Sequence, residues 1–190
     1  MMQWMSSRSA AVVASMCAAA LGSCLVEPVH AQQVQDLGPE DPGVAPGPLH
    51  RPGQPCTVCH SADGPAKTVF SVAGTVFDNP DGPGAPGVEV RMEDSDKSLV
   101  ANLGRLTTNC AGNFFVSPHQ WTPKFPIIVA IKAADATPLA MKSHIGRESS
   151  CSTCHKGKKF VDSAGRLQLT DAPRPAPDLP QRCQDGEVLP

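Results

Sequence analysis

The chain has 190 residues and a formal net charge of −2, so no basic excess is available to attract nucleic acid or an anionic surface. Its 20 prolines and 16 glycines argue against long helices, and an aromatic content of 4% with no tyrosine argues against a core built on large rings. About 160 residues remain after an export leader, enough for one domain with a modest core.

The chain opens with Arg8, an uncharged apolar run from Ala10 to Leu21, and small residues that lead to a cleavage site at Val29-His30-Ala31. This pattern predicts a secretory signal peptide over residues 1–31, too short to cross a bilayer as a spanning helix. The expected location is the periplasm or cell surface. Leu21-Gly22-Ser23-Cys24 also resembles a bacterial lipobox, which would shorten the leader to 1–23 and make Cys24 a lipidated first residue. That protein would be anchored to a membrane and not embedded in it. A chance cysteine in an alanine-rich leader, as Cys17 is, is the alternative.

Residues 32–54 are rich in Pro, Gly, Asp and Gln, and the spacing of Pro39, Pro42, Pro46, Pro48 and Pro52 predicts an extended, disordered tether. Residues 55–67 then hold Cys56-Thr57-Val58-Cys59-His60, a Cys-x-x-Cys-His pentapeptide. Two thiols three residues apart suit addition across the two vinyl groups of one haem, and the histidine that follows suits an axial bond to the iron.

Residues 68–142 read as strands. Thr68–Phe77 carries Phe70, Val72 and Val76 on one face, and Asn79-Pro80-Asp81-Gly82-Pro83-Gly84 is a dense turn signal. Val88, Val90 and Met92 alternate with Glu89 and Arg91. Shorter strands are expected at 99–101, 105–108 and 113–117, a strong one at 125–133 with Ile127, Val129 and Ile131 inward, and a last one at 137–142. The expected fold is mainly β, an antiparallel Greek-key-like sandwich of about seven strands with haem-binding loops at both ends in sequence and disordered Pro-rich flanks.

Gly74-Thr75-Val76-Phe77-Asp78, Gly87-Val88-Glu89-Val90 and Thr108-Asn109-Cys110-Ala111-Gly112-Asn113-Phe114 resemble the carboxypeptidase-regulatory-like, transthyretin-like sandwich. That family shows G-x-V-x-D, a G-V-x-V strand and T-x-x-x-G-x-F. The resemblance implies that Gly112 makes a hairpin turn and Phe114 points into the core. It implies architecture and recognition, and no reaction.

Residues 143–170 hold the second pentapeptide, Cys151-Ser152-Thr153-Cys154-His155, and residues 171–190 form a Pro-rich tail. The repeat makes the chain resemble the dihaem c-type cytochromes, with covalent haem at Cys56, Cys59, Cys151 and Cys154 and proximal iron ligands at His60 and His155. His50 lies six residues before Cys56 and His144 seven before Cys151, and both are expected as distal ligands. His119 and Met141 are lower-ranked distal candidates, while Met92 reads as core. Lys156, Lys158 and Lys159 suit either an acidic redox partner or a solvated loop. The turn aspartates lack calcium-loop spacing. Cys110 and Cys183 remain as a disulfide pair or two free thiols.

These residues support an exported electron carrier with two covalent haem c groups, bis-histidine low-spin irons and redox partner proteins. Oligomeric state is not readable. Two alternatives stay open: a haem enzyme or sensor with one open axial position, and a haem-free β module stapled by disulfides or zinc.

Overall fold

A computed structural model describes residues 27–95, 106–157, 163–172 and 183, and the chain divides into two compact units, 1–38 and 39–190. In the first unit, α1 runs over Pro28–Asp36 with Pro28 at its first turn and no buried residue. A tether was expected from Gln32, but Ala31 to Gln35 contains no proline or glycine and only good or neutral helix formers. Residues 1–26 of the expected leader, with the lipobox and Cys24, lie outside the described residues, while the expected cleavage site at Val29-His30-Ala31 falls within α1. No described helix is long and apolar enough to cross a membrane.

The second unit is mainly antiparallel sheet with two one-turn helices. Strand β1 (Val72–Thr75) pairs with β3 (Asn113–Val116), with Val72 opposite Val116. Strand β2 (Glu89–Glu93) pairs with β4 (Ile128–Lys132), and β4 with β5 (Leu139–Ala140). Val90 and Met92 face Ile131 and Val129, while Glu89, Arg91 and Glu93 take the other face, as the period-two rule requires. The two sheets feed one core, in which Val72, Val76, Phe114 and Val116 meet Val90, Met92, Val129 and Ile131.

Five strands lie among the described residues where seven were expected. The expected strand at 99–101 lies outside them. Of 105–108, residues 106–108 are described, and of these only Thr107 forms a bridge, to Glu89, although Val90 N–H still donates to the Leu106 carbonyl at 2.9 Å. The first strand is shorter than predicted because Phe70 N–H donates to His60 O and Phe77 N–H to Leu167 O, so its ends are bonded outside the ladder. Gly112 turns the chain at φ +75°, and an added Cβ would strike the Val76 carbonyl and the backbone of Gly84 and Ala85. Phe114 is buried in the core, as the resemblance implied.

The Pro-rich segment before the first pentapeptide is not a free flank. Asn109 Nδ2 donates to the Pro48 carbonyl at 2.7 Å, and Asn113 Nδ2 donates to Pro48 and His50 carbonyls at 3.1 Å. Gly53 N–H donates to Thr75 Oγ1, whose own hydroxyl donates to Asn113 Oδ1 at 2.7 Å. Proline removes donors from the segment but leaves every carbonyl needing a partner, and two side-chain amides supply them.

Cys110 and Cys183 form a disulfide with a Cα–Cα distance of 5.6 Å across 73 residues of sequence. By loop-closure entropy such a link contributes about 2–4 kcal/mol. Cys183→Ser should lower the unfolding free energy by that amount in a denaturant titration; an unchanged midpoint would mean the link constrains nothing in the unfolded chain.

Candidate functional site

The two pentapeptides fold alike. Cys56–Cys59 forms α2 and Cys151–Cys154 forms α3, each a single turn, and in each the N–H of the following histidine donates to the carbonyl of the first cysteine at 2.9 Å. One helical turn brings residues three apart onto the same face, which presents both thiols together. The carbonyl of the second cysteine accepts from an alanine in the returning loop at both sites, Ala66 at 3.0 Å and Ala164 at 3.2 Å.

The histidines are oriented by the same device. His60 Nδ1–H donates to the Thr68 carbonyl at 2.8 Å, with Thr68 Oγ1 3.0 Å away, and His155 Nδ1–H donates to the Gly165 carbonyl at 2.9 Å. A carbonyl can only accept, so Nδ1 carries the proton and Nε2 keeps its lone pair for a metal. Burial lowers the His60 pKa, while the Thr68 bond opposes that shift, and the net effect favours the neutral ring that binds metal.

Both turns rest on β1. The Gly74 position is closed to any side chain, because a Cβ there would come 2.8 Å from Cys151 Cβ, 3.0 Å from its sulfur and 2.9 Å from Phe114. Ala73 N–H donates to Ser149 O at 2.9 Å, which draws the entry of α3 alongside the strand. At the other turn, Gly64 packs so tightly on the Cys59 carbonyl that a Cβ would overlap it.

All four cysteines of the pentapeptides are free thiols. Burial pushes the Cys56 thiol up to about 11 and the Cys151 thiol up to about 12, and the charge of Cys56 in the first turn adds to the rise at Cys151 in the second. Burial also raises Cys59, with Arg51 opposing. Among the described residues no three of His, Cys, Asp or Glu converge on a point that would hold a metal ion. Four-ligand zinc needs such a cluster; a haem iron, already held by four pyrrole nitrogens, needs one or two side chains.

The distal candidates separate clearly. His50 comes to His60, with ring centroids 5.8 Å apart and planes 18° from parallel. The two rings are stacked, and an imidazole binds metal in its own plane, so this arrangement brings the side chains together without aiming both at one iron. The tautomer does not yet suit an axial pair either: His50 Nδ1 accepts from Gly47 N–H at 3.2 Å, which assigns the proton to Nε2. Ligation by Nε2 requires that contact to be given up.

His144 is exposed and lines a cavity of about 930 Å³ together with Met141, Cys151, Cys154 and His155. Met141 also packs against the core, and Met92 lies within it. His119 is exposed in the turn after β3 and does not line that cavity. Lys156 is exposed, and Lys158 and Lys159 lie outside the described residues.

Three contributors were not read from the sequence. The Thr68 and Gly165 carbonyls carry no sequence signal, because any residue has a carbonyl. Ser163 Oγ accepts from Lys156 N–H and Gly165 N–H and so shapes the loop that brings Gly165 back. Arg166 lies 4.2 Å over the Phe77 ring, donates to the Pro80 carbonyl at 3.3 Å and lines the same cavity. The buried Ser150 hydroxyl, also in the cavity wall, has no partner.

Comparison with protein families, curated proteins and solved structures returns no match for the chain.

In haem-free protein at pH 8, alkylation by iodoacetamide should reach the exposed Cys154 first and the buried Cys151 last, with rates at least about tenfold apart. Peptide mass spectrometry reads the order. Equal rates would mean that α3 is not seated on β1.

Proposed function

We propose that the protein is an exported dihaem c-type cytochrome that transfers electrons. The observation that carries this reading is the repeated histidine-to-carbonyl bond, which leaves Nε2 of both His60 and His155 available beside a pair of free thiols. Cys56 and Cys59 would hold one haem c, and Cys151 and Cys154 the other. A covalently held haem supplies reversible one-electron chemistry at iron.

The chain's residues then do three things. His60 and His155 would hold the two irons through Nε2. His50 is the distal ligand best placed for the first site, and His144, with Met141 behind it, for the second. Arg166, in the cavity wall, would offer donors to the carboxylates of the second haem. The anchoring of both turns to β1 supports two haems close together, and closeness favours electron passage between them. Redox partner proteins complete the function, with exposed Lys156 as one contact for an acidic partner. The leader and Cys24 belong to the same reading as the means of export and, if lipidated, of anchoring.

The architecture proposed is a carboxypeptidase-regulatory-like sandwich, supported by the shared core of the two sheets and by the places of Gly112 and Phe114. Its role here is to space the haem turns. A second reading, a haem enzyme or sensor with one open axial position, is favoured by the exposure of His144 beside the cavity.

Expression in a host with c-type maturation should give an intact mass with two haem additions and a low-spin spectrum. Cys56→Ala with Cys59→Ala, and Cys151→Ala with Cys154→Ala, should each lose one haem. Carbon monoxide should not bind the reduced wild type, and should bind after His144→Ala. Binding to the wild type would move the assignment to the enzyme or sensor; no haem at all would end both haem readings.

A further inference from the structure

We propose that Phe70 is a positioning residue for the first iron and that its ring makes the two haems electronically inequivalent. The inference rests on the dihaem reading and names a difference between its two sites.

The Phe70 ring lies against the face of His60 with centroids 4.1 Å apart and planes 17° from parallel. Phe115 of β3 stacks behind it at 4.8 Å and 16°, so the Phe70 ring is backed on its far side. Phe70 is also tied to the histidine through the main chain, since its N–H donates to the His60 carbonyl at 2.9 Å. The ring and the imidazole are therefore one unit with little independent motion.

A carbonyl bond at Nδ1 aims the imidazole but leaves its plane free to rock about the bond. A face-to-face ring removes that freedom, because rocking would open or close the 4.1 Å stack. Nε2 emerges from the edge of the imidazole, so Phe70 does not compete for the iron. At the second site the carbonyl bond is the same, His155 to Gly165, yet no aromatic ring touches His155 among the described residues. His60 is buried, whereas His155 is only partly so. One axial plane is thus held by a bond and a stack, the other by a bond alone.

The plane of an axial imidazole orients the half-filled orbital of low-spin ferric iron, and outer contacts of the ligand tune the metal. Two signals follow: a sharp one from the first haem, whose plane is held, and a broader one from the second. Sequence gave no hint of this, since Phe70 reads equally well as a strand residue packing into the core.

The test is electron paramagnetic resonance on the oxidised, haem-loaded full chain, with two haems verified by mass in every variant. Phe70→Leu should shift and broaden the sharp signal and leave the other superimposable on the wild type, and Phe70→Tyr, which keeps a ring, should restore it. Phe115→Leu removes only the backing ring at a partly buried position and should broaden the same signal to a smaller extent, so the inference remains testable if Phe70→Leu does not accumulate. Equal changes in both signals, or no change in either Phe70→Leu or Phe115→Leu, would overturn the role of Phe70. Wild-type protein without haem would instead overturn the dihaem reading.

Discussion

Strand β1 bears on every part of the site. Its four residues are buried, which is unusual for a strand in a two-stranded sheet, and the cause is that it is covered on more than one side. Val72 joins the core, Gly74 admits Cys151 and Phe114 together, and Thr75 holds both Gly53 and Asn113. A side chain at position 74 would have to displace a cysteine and a core phenylalanine at once. The placement of the second thiol pair therefore depends on the absence of one methyl group.

The histidine bonds depend in turn on two return loops, one from His60 to Thr68 and one from His155 to Gly165. They differ in length and sequence, yet both end with a carbonyl at Nδ1 and an alanine N–H on the second cysteine. Convergence on the same bonds from unlike loops indicates that the bonds are the requirement and the loops the means. The short loop carries Gly64 packed onto the Cys59 carbonyl, while the longer uses Ser163 as a cross-brace and Gly165 at φ +80°.

Some of this was legible in the sequence. Period-two alternation read Val90, Met92, Val129 and Ile131 correctly as core, because burial on one face of a strand writes itself into the residue order. The offset of His50 marked it as a ligand candidate without saying which pentapeptide it would approach, and the structure brings it to His60. The Pro-rich segment was misread because composition reports the chain's own flexibility and says nothing of Asn109 and Asn113, more than fifty residues away, that satisfy its carbonyls. The first strand was drawn too long for a related reason. Thr68 to Phe70 has strand-like residues, but their main-chain groups bond to His60, and the site takes priority over the ladder.

The buried thiols add a constraint on how such a site is filled. A nucleophilic thiol must reach its thiolate, and burial that raises Cys56 to about 11 and Cys151 to about 12 works against this near neutral pH. Attachment of haem to the fully folded chain would thus be slow at the first cysteine of each pair. Attachment before β1 and its neighbours close around the turns meets no such penalty, because the thiols are then solvated. Under the dihaem proposal, the fold that buries Cys56 and Cys151 would best form after the linkage and would then shield those two sulfur atoms from solvent, with Cys154 left exposed.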